Sequence, residues 1–110
     1  MLWNISGERI RIPVNVTATG DTVIIPAQTN GAIFVHELIG NPSVAMTLTV
    51  KCGTRVVRTF TLSAGQAFTE NDIAGMDGEP TFVCNVGEAF ILNTSATGTF
   101  TGGVTYSIRQ

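Results

Sequence analysis

The chain has 110 residues with a formal net charge of −2 at pH 7, and 44% of its residues are hydrophobic while only 13% are charged. This length suits one domain, and the lack of a basic excess excludes a protein that holds nucleic acid through its phosphates. The apolar runs are too short to span a bilayer, and the amino terminus does not resemble a secretory signal, so no membrane partner is expected.

Residues 1–8 are interpreted as an amino-terminal arm, and residues 9–110 as a single domain. The arm opens with Met1, Leu2 and Trp3 and shows neither helical nor strand periodicity. Because tryptophan is enriched at the energetic centres of interfaces, these three residues are candidates for contact with another chain. The alternative is an arm that folds back and closes one end of the domain.

Short alternating segments predict the first two strands. Residues 9–16 alternate between apolar and polar side chains, and Pro13 places this strand at a sheet edge, or breaks it, because proline cannot donate to a ladder. Residues 22–25 predict a second strand, which Pro26 ends. Asn30-Gly31 then gives the strongest tight-turn signal in the chain.

Residues 32–39 are apolar at both odd and even positions. Such a segment is buried on both faces, or is buried on one face and contacts another subunit with the other. Ile33, Phe34 and Val35 are therefore candidate interface residues. His36 and Glu37 follow, and because neighbours on a strand point to opposite faces, they are not expected to act as an acid–base pair.

Residues 44–62 predict the β-hairpin around which the rest of the chain is organised. Two alternating segments flank Cys52-Gly53-Thr54, where the glycine can adopt a positive φ. Arg58 interrupts the second alternation, which predicts a bulge or an edge position at that point.

The acidic residues are concentrated in one loop, and half of the eight lie within residues 70–79: Glu70, Asp72, Asp77 and Glu79. Thr69 followed by an acidic residue three positions later fits a capping box, which predicts a helical turn over residues 70–74. Calcium binding is an alternative, but the alternating ligands of a calcium-binding loop are missing. A solvated connection between sheets is preferred, and no metal or other cofactor is expected.

Three further strands are predicted over residues 80–84, 88–94 and 99–109, the last interrupted at Gly102-Gly103 by a bulge or a close backbone approach. About eight short strands at roughly ten-residue spacing, without a long helix, predict an all-β fold. The expected architecture is an antiparallel β-sandwich, with a jelly roll as one form of it.

The residues capable of chemistry do not form a recognisable catalytic or metal-binding motif. Cys52 and Cys84 are the only cysteines, and His36 is the only histidine. Their spacing matches no metal site, and synthesis in the cytosol favours free thiols over a disulfide. The chain is therefore expected not to be an enzyme.

Several short segments resemble those of small β-sandwich virion proteins of tailed bacteriophages. They are Ile25 to Gly31, Val50 with Gly53-Thr54, Gly87-Glu88-Ala89 followed by Leu92-Asn93 and Ser95, and Gly103-Val104 with Tyr106. The resemblance covers residues 23–108 and leaves out the first twenty residues.

The resemblance implies a head decoration, or cement, protein on the outer surface of a phage capsid, synthesised in the cytoplasm of the bacterial host. Such proteins commonly form homotrimers and clamp neighbouring subunits of the major capsid protein. The alternative is a carbohydrate- or receptor-binding module of a phage fibre, which would need an exposed aromatic platform. Trp3 is the first candidate for that platform, since Tyr106 shares the apolar parity of its strand.

Overall fold

The computed structural model describes residues 9–71 and 80–109 of the chain. The strands in these ranges are β1 (Ile10–Val16), β2 (Gly20–Ile25), β3 (Ala32–Pro42), β4 (Met46–Cys52), β5 (Arg55–Leu62), β6 (Phe68–Asn71), β7 (Phe82–Cys84), β8 (Phe90–Thr94) and β9 (Phe100–Arg109). No helix occurs among the described residues, and the expectation of an all-β antiparallel sandwich is confirmed. The strand that the sequence did not predict is β6.

The strands form two sheets that pack face to face. Sheet A has the order β1-β9-β3-β6, with β7 also paired to β3, and sheet B has the order β2-β8-β4-β5. Apart from β7, each sheet combines strands from both halves of the chain in the order that two Greek keys produce when they wind together. The architecture is therefore a jelly roll with one additional short strand.

The core between the sheets follows from the period-two pattern of the strands. In β4, every second residue from Met46 to Cys52 is buried, and the residues between them are half-buried on the opposite face. Burial removes roughly 25 cal/mol of unfavourable hydration per Å² of apolar surface, which makes this alternation the main determinant of the fold.

Three phenylalanines fill one end of the core above a pair of glycines. Gly40 of β3 lies opposite Gly102 of β9, and the ring of Phe100 occupies the space where a Gly40 side chain would begin. Phe68 packs edge-on against Phe100 and Phe60, with ring centroids 5.9 and 4.8 Å away. The predicted close backbone approach at Gly102 is confirmed, whereas the register through this point is continuous and contains no bulge.

A bulge at His36 explains why β3 is apolar at odd and even positions. Ile33 and Val35 face the core before the bulge, and Leu38 faces it afterwards. Phe34 lies on the outer face of sheet A. The bulge reverses the alternation, so two strand segments of opposite parity follow each other without a break in the ladder.

The edge strands of both sheets carry features that discourage pairing with another chain. Pro13 lacks an amide donor in β1, and the predicted edge position of that strand is confirmed. In β5, at the edge of sheet B, Val57 forms a bulge and Arg58 takes a core-facing parity, so both predicted explanations for Arg58 apply. A bulge at Ile24 interrupts β2, and β6 and β7 contain only four and three residues.

The turn signal at Asn30-Gly31 marks a crossing between sheets and not a hairpin. β2 ends at Ile25 in sheet B, and β3 begins at Ala32 in sheet A. A Cβ atom at Gly31 would lie 2.7 Å from Cγ2 of Ile108, so the position requires glycine for a close approach to β9.

Cys52 and Cys84 form a disulfide, so the expectation of free thiols is wrong. Cys52 ends β4 in sheet B and Cys84 ends β7 in sheet A, and the packing of the sheets brings their Cα atoms to 5.1 Å. That separation lies within the range that a disulfide spans. The redox state of a cellular compartment gives no information about this proximity, which arises between residues 32 positions apart in the chain.

The helical turn predicted over residues 70–74 is wrong for its first two residues. Glu70 and Asn71 belong to β6, which pairs with β3. Thr69 joins the same ladder and does not cap a helix, because the edge of β3 offers hydrogen bonds to the whole segment. Residues 72–79 lie outside the described part of the chain, and the calcium alternative lies there with them.

Candidate functional site

The outer face of sheet B presents a row of side chains that crosses all four strands. The register places Val23 beside Ile91, Ile91 beside Lys51, and Lys51 beside Val56. Val23 and Val56, on the two edge strands, are 57% and 59% exposed. The row therefore exposes branched apolar side chains at both edges of the sheet.

Polar side chains make up the second and third rows of the same face. In register they are Asp21, Asn93, Thr49 and Thr59, and then Thr47 and Thr61. The threonines occupy outward positions because Leu48 and Phe60, between them in the sequence, face the core. With the first row, these residues form a surface of methyl, hydroxyl and amide groups.

The two charged side chains of this face neutralise each other. Lys51 Nζ lies 3.0 Å from Oδ2 of Asp21, and the Asn93 side-chain amide donates to Oδ1 of Asp21 at 2.7 Å. The hydrogen bond from Asn93, followed by that from Lys51, lowers the pKa of Asp21 below its ordinary value. Asp21 is therefore ionised at neutral pH, and the face carries no net charge.

A second cluster, the clamp, joins the tip of the β4–β5 hairpin to the connection between β7 and β8. The Gly53 amide donates to the Ala89 carbonyl at 2.8 Å, and Arg55 Nη2 lies 2.7 Å from Oε1 of Glu88. The hydrogen bond from Arg55 lowers the pKa of Glu88, and the Asn85 amide adds to the effect. The clamp therefore joins the tip of the hairpin to the β7–β8 connection at one end of the sandwich.

Of the predicted interface residues in the described chain, Phe34 is the one that lies on an outer face. Ile33 and Val35 are fully buried in the core, which accounts for their apolar character without a second subunit. The guanidinium carbon of Arg109 lies 4.3 Å from the centre of the Phe34 ring and covers it. Met1, Leu2 and Trp3 lie outside the described residues.

The β3 bulge places His36 and Glu37 on the same outer face of sheet A, so the expectation that they point to opposite faces is wrong, but they form hydrogen bonds to different residues. His36 Nε2 lies 2.9 Å from Oγ of Ser107, and Arg11 donates to Glu37 at 2.9 Å. A histidine beside a serine can activate a nucleophile, but here His36 is 1% and Ser107 is 2% exposed. Because both side chains are buried, we interpret the pair as a hydrogen bond that stabilises the β3 bulge.

Neither a metal cluster nor a membrane-spanning helix occurs in residues 9–71 and 80–109. No group of three or more His, Cys, Asp or Glu side chains in these ranges is placed to hold a metal ion. The same residues include no helix with the length and apolar character needed to cross a bilayer.

Sequence alone does not identify the outer face of sheet B as a unit. Its rows join side chains from four strands, and Asp21 and Asn93 are 72 positions apart. A local signal exists in the two Thr-x-Thr segments, residues 47–49 and 59–61, but it becomes a surface only once β4 and β5 are paired.

Comparison with protein-family models gives no match to this chain, and comparison with curated proteins gives none either.

Proposed function

We propose that the chain is a structural, non-enzymatic virion protein that decorates the outer surface of a phage capsid. It stabilises the shell by bridging subunits of the major capsid protein. The observation that carries the proposal is the outer face of sheet B, which exposes Val23 and Val56 and balances the charge of Lys51 with that of Asp21. A neutral face of this kind suits a protein partner with an uncharged, partly apolar surface.

The edge strands support a contact through a face. Pro13, Arg58 and the bulges at Ile24 and Val57 disfavour the addition of a strand from another chain. A partner that does not add a strand to either sheet must instead contact one of the outer faces of the sandwich. Among these, the outer face of sheet B combines exposed apolar groups with hydroxyl groups that can donate and accept hydrogen bonds.

The size of this face favours attachment at several points at once. Four strands about 4.8 Å apart and three rows about 6.7 Å apart cover roughly 350 Å², including the width of the side chains. A stable interface commonly buries about 800 Å² on each partner. One copy of the face would therefore bind weakly, and a homotrimer that presents three copies would gain by avidity.

Shell binding by valine-to-glutamate variants tests the proposal. Val23→Glu and Val56→Glu place a charge in the contact, and we expect each to weaken co-sedimentation with shells of the major capsid protein from the same genome about tenfold or more. The matched control is Val86→Glu, since Val86 is 58% exposed but lies off the sheet, in the turn after β7. Equal binding by all three variants would exclude this face from the contact.

The arm is a second element of the proposal. Trp3 lies in an apolar segment without periodicity, which suits a contact with a neighbouring subunit. Deleting residues 1–6 is expected to abolish shell binding and to leave the circular dichroism spectrum unchanged. Unchanged shell binding after the deletion would exclude the arm from the contact.

The carbohydrate-binding alternative ranks second because it needs an exposed aromatic platform. The large hydrophobic side chains that the described residues expose are Ile10, Val23, Val56 and Val86, all of them aliphatic. A glycan-array signal that Trp3→Ala removes would favour this alternative over capsid decoration.

A further inference from the structure

The disulfide between Cys52 and Cys84 is buried, so reductants in solution do not reach it in the closed structure. It connects the end of β4 in sheet B to the end of β7 in sheet A, across the core. Both cysteines are 0% exposed. Because thiol–disulfide exchange requires attack of a thiolate on a sulfur atom, the bond reacts only when the structure opens locally.

The two cysteines are held with unequal strength. Cys52 belongs to a central strand, which pairs with β5 on one side and with β8 on the other. Cys84 belongs to a strand of three residues, which within the described part of the chain pairs only with β3. Local openings favour the element with the fewest buried contacts and ladder bonds, so β7 opens before β4.

Among residues 9–71 and 80–109, β7 is also held by a ring contact and by hydrogen bonds on its two sides. Phe82 is buried at 2% exposure and packs against Phe90, with ring centroids 6.2 Å apart. The Thr81 amide donates to the Val35 carbonyl at 2.8 Å on one side of the strand. On the other side, Arg55 of the clamp reaches the Val83 carbonyl at 3.4 Å.

We propose that the Cys52–Cys84 pair is a redox-controlled latch and that β7 is its moving part. With the disulfide formed, β7 is fixed to β4 through the core. With two thiols, β7 detaches more often from β3 and exposes the ladder positions of Ile33 to Val35 together with the Phe82 side chain. The latch is a property of the fold and does not depend on the proposed function.

The chemistry of unlocking is an exchange with a dithiol. One thiolate of the reductant attacks a cysteine sulfur, and the other cysteine leaves as a thiolate and takes up a proton. The second thiol of the reductant then closes its own disulfide and releases the remaining cysteine as a thiol. Two electrons and two protons pass to the cysteine pair, and the reverse sequence with an oxidised dithiol locks it again.

The biological timing of the latch does rest on the proposed function. A virion protein made in a reducing cytosol would carry two thiols during assembly, when β7 can still adjust. It would be locked after release into an oxidising medium. The same burial that delays oxidation then protects the closed bond from reductants.

Hydrogen exchange of the full-length protein tests whether the opening is local. We compare the oxidised protein with the dithiothreitol-reduced protein and with the double variant Cys52→Ala/Cys84→Ala. Peptides that cover residues 32–36 and 81–85 should exchange about tenfold faster in the last two, while β1 and β5 should be unchanged. Uniform acceleration over the whole chain, or none at residues 81–85, would overturn the latch.

The rate of disulfide reduction in native buffer provides an independent test. Phe82→Ala removes the buried anchor of β7 and should speed reduction by dithiothreitol about tenfold or more. The matched control is Leu62→Ala, which weakens the core from β5 and should leave the rate nearly unchanged. Equal acceleration by both variants would mean that reduction requires global unfolding, and the latch would be excluded.

Discussion

Two neighbouring glycines in β9 differ in the space that is available for a side chain. A Cβ atom at Gly102 would overlap the backbone carbonyl of Ile39, which the β3 ladder holds in place. At Gly103, the nearest atom is Nη2 of Arg11 at 3.0 Å, the end of a flexible side chain. The first position excludes any side chain, whereas the second requires only that an arginine move.

Alanine substitutions at these two glycines should therefore differ in effect. Gly102→Ala is expected to lower the free energy of unfolding by about 3 kcal/mol or more, because strands β3 and β9 must separate. Gly103→Ala is expected to change it by less than about 1 kcal/mol. Urea unfolding followed by circular dichroism measures both, and equal losses would contradict the assignment of the close approach.

The carboxylates of Asp21 and Glu88 make the stability depend on pH. Hydrogen bonds from Asn93 and from Arg55, respectively, lower their pKa values in the folded protein. A lowered folded pKa stabilises the native state above the ordinary pKa, and this contribution is lost as the pH falls through the folded value.

We expect the melting temperature to fall below about pH 4 and the double variant Asp21→Asn/Glu88→Gln to show a shallower fall. The difference should be modest, because both ion pairs are exposed to solvent. Melting curves recorded from pH 7 to pH 2 measure it. A variant whose curve parallels that of the unsubstituted protein would show that other groups control acid unfolding.

At the scale of the strands, Arg58 protects the edge of sheet B. It has the parity of a core-facing residue in β5, and its guanidinium carbon lies 5.2 Å from the centre of the Phe60 ring. A charge at this position makes it costly for another strand to add to β5, because pairing would bury it.

Replacing this charge should expose the edge to self-association. Arg58→Val is expected to increase light scattering at high protein concentration, since valine favours strand pairing and no longer opposes it. Arg58→Lys keeps the charge and should behave like the unsubstituted chain. If both variants stay monodisperse, the Val57 bulge alone is sufficient to protect β5.

The strands that the sequence predicted are those whose alternation is local. The hairpin over residues 44–62 is confirmed, because β4 and β5 are adjacent in the chain and their parity can be counted directly. β6 was missed because Thr69 and Glu70 also fit the start of a helix, and only the distant β3 edge decides between the two. The disulfide was missed for the same reason, since it depends on how the sheets stack.

The candidate site was less predictable than the fold. Phe34 is a predicted interface residue because its segment is apolar at odd and even positions, and it does lie on an outer face, but Ile33 and Val35 could not be separated from it without knowledge of the His36 bulge. The pairing of Asp21 with Lys51 requires β2, β8 and β4 to be neighbours, which no local pattern specifies.

At the scale of the whole molecule, the proposed homotrimer can be tested in solution. Sedimentation velocity at low and high salt should give the mass of a trimer under both conditions, because screening weakens charge contacts far more than apolar ones. A monomer at both salt concentrations would contradict the homotrimer. A trimer that dissociates in salt would point to contacts through the charged side chains.

The first and last strands of the jelly roll lie side by side, with Ile10 opposite Tyr106 and Val16 opposite Phe100. The chain therefore enters β1 and leaves β9 at the same end of sheet A. Tension applied across these two points would unzip the ladder one residue pair at a time, which is a mechanically weak geometry. While the disulfide is closed, the chain between Cys52 and Cys84, a separation of 32 residues, cannot extend, which removes roughly 110 Å of chain length at about 3.4 Å per residue. The molecule should thus yield easily when pulled by its ends, until the tension reaches the closed disulfide.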